Sequence, residues 1–244
     1  MKKTAIIIAI VAVVVAAGIS AAFILRYWPG ILTGSGNLET KQYDFVDFTA
    51  VEVSSAFEFE ARQSNAFSIN ITADDNIIDY VQVAEDGQTL TIGLRNARAI
   101  RFVTLKASIT MPQLRGLTVS GASRGSISGF SSVDDVNMML SGASRVMGDM
   151  TAGNIEFDVS GASTVQLEGS ADDMVADVSG ASHFNLDDFI VDNADVNISG
   201  ASSGTVNLTG RLDANVSGVS RLWYIGEPAM GDINVSGTST FGEK

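Results

Sequence analysis

The chain has 244 residues, enough for one large domain with a real core. It has no cysteine, one histidine and a formal net charge of −13, which excludes a disulfide framework, a thiolate metal site, a cysteine nucleophile and a multi-histidine metal site within one chain. Three of the 15 cations precede Gly30 and all 28 acids follow it, leaving twelve cations against 28 acids, or −16; nucleic-acid binding, which needs a basic footprint, is disfavoured.

From Ala5 to Leu25 run 21 residues without a charge, long enough to span a bilayer core. Lys2 and Lys3 precede the run and no acid appears before Glu39. The positive-inside rule then puts the N-terminus in the cytoplasm and the main domain outside, with Arg26, Tyr27 and Trp28 at the outer interface. Residues 1–28 are therefore expected to be an uncleaved signal-anchor. A cleaved signal peptide is the alternative, with small residues around Ser20, Ala21 and Ala22 as the peptidase site; its apolar region is usually only about 7–15 residues.

Residues 29–42, rich in Gly, Ser and Thr, read as a linker. From Tyr43 the pattern becomes alternation: Phe45, Phe48, Val51, Val53, Phe57 and Phe59, then Phe67, Ile69 and Ile71, Val81 and Val83, and Leu90, Ile92 and Leu94. Asp74-Asp75-Asn76 and Asp86-Gly87 punctuate these runs as turns. Residues 43–116 are expected to be entry strands.

From residue 117 a repeat takes over. VSGAS or a close variant occurs seven times, beginning at Val119, Leu140, Val159, Val178, Ile198, Val216 and Val235, at spacings of 21, 19, 19, 20, 18 and 19 residues. A fixed period of this size marks a solenoid. The structural positions are Ser120-Gly121, Ser141-Gly142, Ser160-Gly161, Ser179-Gly180, Ser199-Gly200, Ser217-Gly218 and Ser236-Gly237. The residue before each Ser is apolar, and so is the one three before (Leu117, Met138, Phe157, Ala176, Val196, Ala214, Ile233). The residue between them is Thr118, Met139, Asp158, Asp177, Asn197, Asn215 or Asn234. Alternation points the first two sets inward and the third outward. The small Gly permits a sharp bend, and a second strand follows, as at Val165 and Leu167, Phe184 and Leu186, and Val206 and Leu208. The expected fold is all-β: a parallel β-helix or β-solenoid of about 19–20 residues per coil over 117–244, after one N-terminal transmembrane helix. Coils stacked at about 4.8 Å make seven repeats a rod section of about 30–34 Å.

The stretch from Ile109 to Ser123, with Met111-Pro112-x-Leu114 followed by VSGAS, resembles the family described as Putative auto-transporter adhesin, head GIN domain. So do the later SGAS phrases and the alternating segment from Phe45 to Leu94, so that the resemblance covers about residues 43–240. It implies a parallel β-helix-like domain, usually exported, with no established catalytic residues to carry over. Its adhesin label is an analogy of fold.

Candidate chemistry is sparse. A nucleophilic Ser needs an adjacent base. The only histidine, His183, belongs to a column with Arg124, Arg145, Thr164, Ser203, Arg221 and Thr240 that reads as solvent-facing. The Ser columns therefore read as structural hydroxyl ladders. Asp172, Asp173, Asp187, Asp188 and Asp192, with Asp134-Asp135, are weak Ca²⁺ candidates, although Asp is favoured in turns for backbone reasons. Asn70, Asn197, Asn207, Asn215 and Asn234 lie in sequons, most of which the repeat itself generates. Arg95, Arg98, Arg101, Lys106 and Arg115 form a basic stretch that reads as a solvated face. No cofactor is implied. The sequence reads as a non-enzymatic, membrane-anchored surface module for adhesion, envelope structure or partner binding, the partner being a surface glycan or protein. The alternative is a polysaccharide-active β-helix enzyme, whose carboxylates would converge in a cleft. An ice-binding solenoid would need a regular Thr array, which the mixed Thr, Met, Asp and Asn column does not supply.

Overall fold

Period-two alternation gives strands that bury one edge of side chains, and a lone coil of such strands cannot close its core without a neighbour above and below. The computed structural model describes residues 31–95 and 99–244. Among them the only helical element is a single 3₁₀ turn, Ile78–Tyr80, and the rest is strand, turn and loop. The segment 5–25 expected to be the anchor lies outside the described residues, as do Lys2, Lys3, Arg26, Tyr27, Trp28 and Arg98. Among the described residues no helix is long and apolar enough to cross a membrane.

Each coil contributes one strand to each of two ladders. In the first ladder Gly116–Val119, Val136–Leu140 and Ile155–Val159 stack parallel and in register, so Leu117 lies beside Met138 and Met138 beside Phe157. In the second, Arg124–Ser131, Arg145–Thr151 and the N-terminal part of Thr164–Val178 stack parallel, with one register shift between Ile127 and Phe130; the C-terminal part of Thr164–Val178 runs on into the first ladder against Ile155–Val159. Every SGAS phrase is the corner between the two. The inward columns expected from alternation are buried: Leu117, Met138, Phe157, Ala176, Val196 and Ala214 on one side, Val165, Leu167, Phe184, Leu186, Val206 and Leu208 on the other. Phe157 and Phe184 meet edge to face across the core, ring centroids 4.9 Å apart. Asp158, Asp177, Asn197 and Asn215 face outward.

The structure departs from the sequence expectation at three places and has a stacking order that the sequence does not specify. Leu38–Tyr43, expected within a linker, is a strand paired antiparallel with Ser68–Asp74, and Leu32–Thr33 pairs with Ile100–Arg101. The stack does not follow chain order. Ala50–Val53 lies between Thr89–Leu94 and Gly116–Val119, so the chain builds one coil, steps behind it through a hairpin at Asp86-Gly87, and returns to the other side. The pairs Asp172-Asp173 and Asp187-Asp188, and Asp192, lie inside the long strands Thr164–Val178 and His183–Ile198 rather than in turns. There the coil bends without interrupting its ladder, as the pairings Ala171 with Val191 and Asp173 with Asn193 record. Finally, Val235, in an inward column, is 48% exposed, because no described coil stacks beyond Ala229–Val235.

Candidate functional site

The corners are structural. Gly161 and Gly180 have φ of +75° and +78°, a region that only Gly enters without strain. The second Ser of each phrase from Ser123 to Ser220 is buried. Ser144 Oγ donates to the Ser141 carbonyl and Ser182 Oγ to the Ser179 carbonyl, both at 2.8 Å, while Ser123 Oγ and Ser163 Oγ are buried without a protein partner. None of the hydroxyls in this inner ladder reaches a base.

The acidic candidates are not brought together. Asp173 accepts a hydrogen bond from Asn193 Nδ2 at 2.7 Å, Asp192 accepts from Thr209 Oγ1 at 3.1 Å, and Asp187 pairs with Lys244. Among the described residues no three His, Asp or Glu side chains converge as a metal cage would require. Asp74, which the sequence suggested only as a turn residue, is a buried carboxylate. It accepts the backbone N–H groups of Gly36 and Thr104, each at 2.7 Å, and ties the first loops to the stack.

The feature that stands out electrostatically is the outer surface of the second ladder. Register stacks Arg124, Arg145, Thr164, His183, Ser203, Arg221 and Thr240 in one column. Two residues along, the same pairings stack Ser126, Met147, Gln166, Asn185, Thr205, Trp223 and Gly242 in a second. Neither column contains a carboxylate over that length. The outer surface of the first ladder is the reverse. Its two columns carry Glu156, Asp158, Asp177, Asp195 and Asp213 and no cation between Gly116 and Asn215.

The cations sort the same way. Among the described residues, Lys41, Arg62, Lys106, Arg115, Arg211 and Lys244 each pair with a carboxylate. Arg95 donates to the Asp79 carbonyl and Arg101 sits over the Phe102 ring. Arg211 and a backbone N–H from Asp232 hold the Asp213 carboxyl down to about 2. The three described arginines with no such partner are Arg124, Arg145 and Arg221, all exposed and all in the one column. The basic stretch picked out from the sequence is different. Its described members, Arg95, Arg101, Lys106 and Arg115, are the ones already engaged.

Near its C-terminal end the track holds a depression of about 340 Å³, lined by His183, Asn185, Ser203, Thr205, Arg221 and Trp223 among others. His183 Nδ1 and Ser203 Oγ share a 2.7 Å hydrogen bond. The imidazole is exposed and no carboxylate orients it, so the pair lacks the third group that a nucleophilic triad uses. What the surface can do is recognise. Guanidinium groups give forked donors for an anion, amides and hydroxyls flank them, and Trp223 offers an aromatic face.

A family model described as Putative auto-transporter adhesin, head GIN domain, matches residues 47–228. The chain belongs to this family. Solved structures share the GIN fold. A putative adhesin from Bacteroides fragilis has a TM-score of 0.82 at 23% identity, covering 87% of this chain and all of that one. A putative adhesin from Parabacteroides merdae has a TM-score of 0.66 at 20% identity, covering 87% and 98%. A putative lipid binding protein from Parabacteroides distasonis has a TM-score of 0.62 at 21% identity, covering 88% and 100%. No curated protein matches the chain. Membership of the GIN family suggests an adhesion-like, non-enzymatic role at the cell surface or elsewhere outside the cytoplasm.

Proposed function

We propose that this GIN-family chain is a non-enzymatic adhesion module, tethered to a membrane by residues 1–28, that engages a surface ligand through the carboxylate-free track on its second ladder. One observation carries the reading: in a chain of net charge −13, the three cations that lack a partner among the described residues share one column. Free, aligned and with no carboxylate in their column, these guanidinium groups suit an external anion. The tether rests on the 21 uncharged residues from Ala5 to Leu25 and the lysines before them. The domain from residue 43 onward then projects outside the cytoplasm, and Leu38–Tyr43 fastens the connecting segment to it.

The enzyme reading has less support. A glycoside hydrolase sets two carboxylates across one bond; the track has none, and in the depression of about 460 Å³ on the other ladder, Asp135 and Asp173 already accept hydrogen bonds from the Asn154 N–H and Asn193 Nδ2.

The test is adherence. Beads coated with the full chain should settle on bacterial envelope material, and Arg145→Glu with Arg221→Glu should abolish settling. Asp177→Lys with Asp195→Lys on the opposite face should leave it intact. Equal adherence by all three proteins would remove the track as the binding face. Fractionated cells should in addition hold the protein in membranes, with external protease removing the solenoid; release into the medium without detergent would mean that the segment is cleaved.

A further inference from the structure

Resting on the track as the binding face, we propose that its ligand is a linear acidic polysaccharide of low charge density, lying along the rod axis. Three properties of the track point there. The first is direction. The cations and polar groups repeat only along the stack, one position per coil step of about 4.8 Å. Arg124 and Arg145 are on adjacent coils and Arg221 is four coils further on, a span of about 24 Å end to end. A small anion satisfies one guanidinium or the adjacent pair. Only an extended molecule reaches all three, and several individually weak contacts on one chain combine into useful avidity.

The second is charge density. Three cations over that span are sparse beside nucleic acid, which carries one negative charge per about 1.7 Å of duplex. Carboxylates flank the track: Glu58 and Glu60 stand beyond Arg124 and Ser126, and Asp149, Glu168 and Asp188 stack further along the same strands. A densely charged polymer meets these at close range and is repelled. A chain with one carboxylate every sugar or two, centred on the track, is not.

The third is what lies between the arginines. Thr164 and Ser203 place hydroxyls in the column, and Gln166 and Asn185 place amides beside it. These groups both donate and accept, as sugar hydroxyls require. Trp223, stacked between Thr205 and Gly242, is half-buried and keeps part of its ring open to solvent. Thr205 beneath it is only 8% exposed. A partly covered indole next to a free guanidinium is a platform for a sugar ring whose carboxylate reaches Arg221. A flat anionic membrane would use the cations but has no use for the amide column or the indole.

The test uses the full chain in neutral detergent and long-chain hyaluronate, which carries one carboxylate per disaccharide. Hyaluronate should bind with an affinity that falls as salt rises. Neutral dextran and the single hyaluronate disaccharide should not bind measurably, and phosphatidylglycerol added to the detergent micelles that hold the anchor should not displace hyaluronate. Arg145→Gln with Arg221→Gln should weaken binding about tenfold or more, and Trp223→Ala should weaken it and remove the quenching of indole fluorescence on binding. Arg211→Gln, on the other ladder, should leave affinity unchanged. Dextran binding as well as hyaluronate, or phosphatidylglycerol in the micelles displacing it, would overturn the proposal. So would loss of hyaluronate binding in the Arg211→Gln variant equal to that in the track variant. If beads adhere through the track while no hyaluronate binds, the binding face stands and the acidic-glycan assignment falls.

Discussion

Gly180 lies directly over Gly161. The Ala181 N–H donates to the Gly161 carbonyl at 2.7 Å, and a Cβ built on Gly180 would collide with that same carbonyl oxygen. The close approach that forbids a side chain is the one that makes the corner hydrogen bond, so geometry and sequence repeat have a single cause.

Gly180→Val should therefore destabilise the domain by at least about 2 kcal/mol, from the left-handed backbone and the collision together. Thermal unfolding of the purified protein measures it. An unchanged melting temperature would contradict the corner assignment.

Phe157 is 1% exposed and its neighbour Asp158 faces water. Phe157→Asp buries a charge with no counter-ion and should prevent the coil from closing, at a cost of several kcal/mol, on the order of a whole domain's margin. Asp158→Phe should fold, with a raised tendency to associate. Equal tolerance of the two changes, read by circular dichroism and melting, would mean that the two side chains share an environment.

The inner hydroxyl ladder divides into satisfied and unsatisfied members. Ser182→Ala removes a donor to the Ser179 carbonyl and should cost about 1 kcal/mol, whereas Ser163→Ala removes an unpartnered buried oxygen and should be neutral or slightly stabilising. Denaturant titration of both variants separates the two cases; the same loss in each would refute the division.

Much of this was legible in the sequence, because in-register stacking turns each repeat position into a column. Val119 and its equivalents, the corner glycines and the column of Arg124, Arg145, His183 and Arg221 can all be found by counting from SGAS. The column beside it, with Asn185, Thr205 and Trp223, follows by stepping two residues along the strand, but its character varies from coil to coil and no repeat advertises it. The insertion of Ala50–Val53 between Thr89–Leu94 and Gly116–Val119 left no trace, since the alternation there has no fixed period and specifies strands without specifying neighbours. The acidic pairs at Asp172 and Asp187 read as turns by residue type, yet parallel stacking carries the ladder through the bend. The pairing state of each arginine was the least legible, since it depends on which acid from another coil lands within reach.

Arg211 and the Asp232 N–H hold the Asp213 carboxyl at about 2, below its ordinary 3.8. A depressed carboxylate stabilises the fold above its unfolded value and loses that contribution as pH falls from about 3.8 towards 2. Carboxyl carbon shifts followed by NMR should give a midpoint near 2, and Arg211→Gln should move it upward. A midpoint near 4 in the parent would contradict the pairing in which Arg211 Nε and Nη2 each donate to one Asp213 oxygen at 2.7 Å.

The account turns on Arg124, Arg145 and Arg221 being free and serving the ligand, and arginine footprinting reads both at once. The full chain would be treated with phenylglyoxal, alone and with bound hyaluronate, and each arginine's modification followed by mass spectrometry. The account predicts fast modification of Arg124, Arg145 and Arg221 in the free protein, slow modification of Arg115 and Arg211, and protection of the first three, and only those three, on binding. Uniform modification across all five, or protection that falls on Arg115 and Arg211 instead, would contradict it.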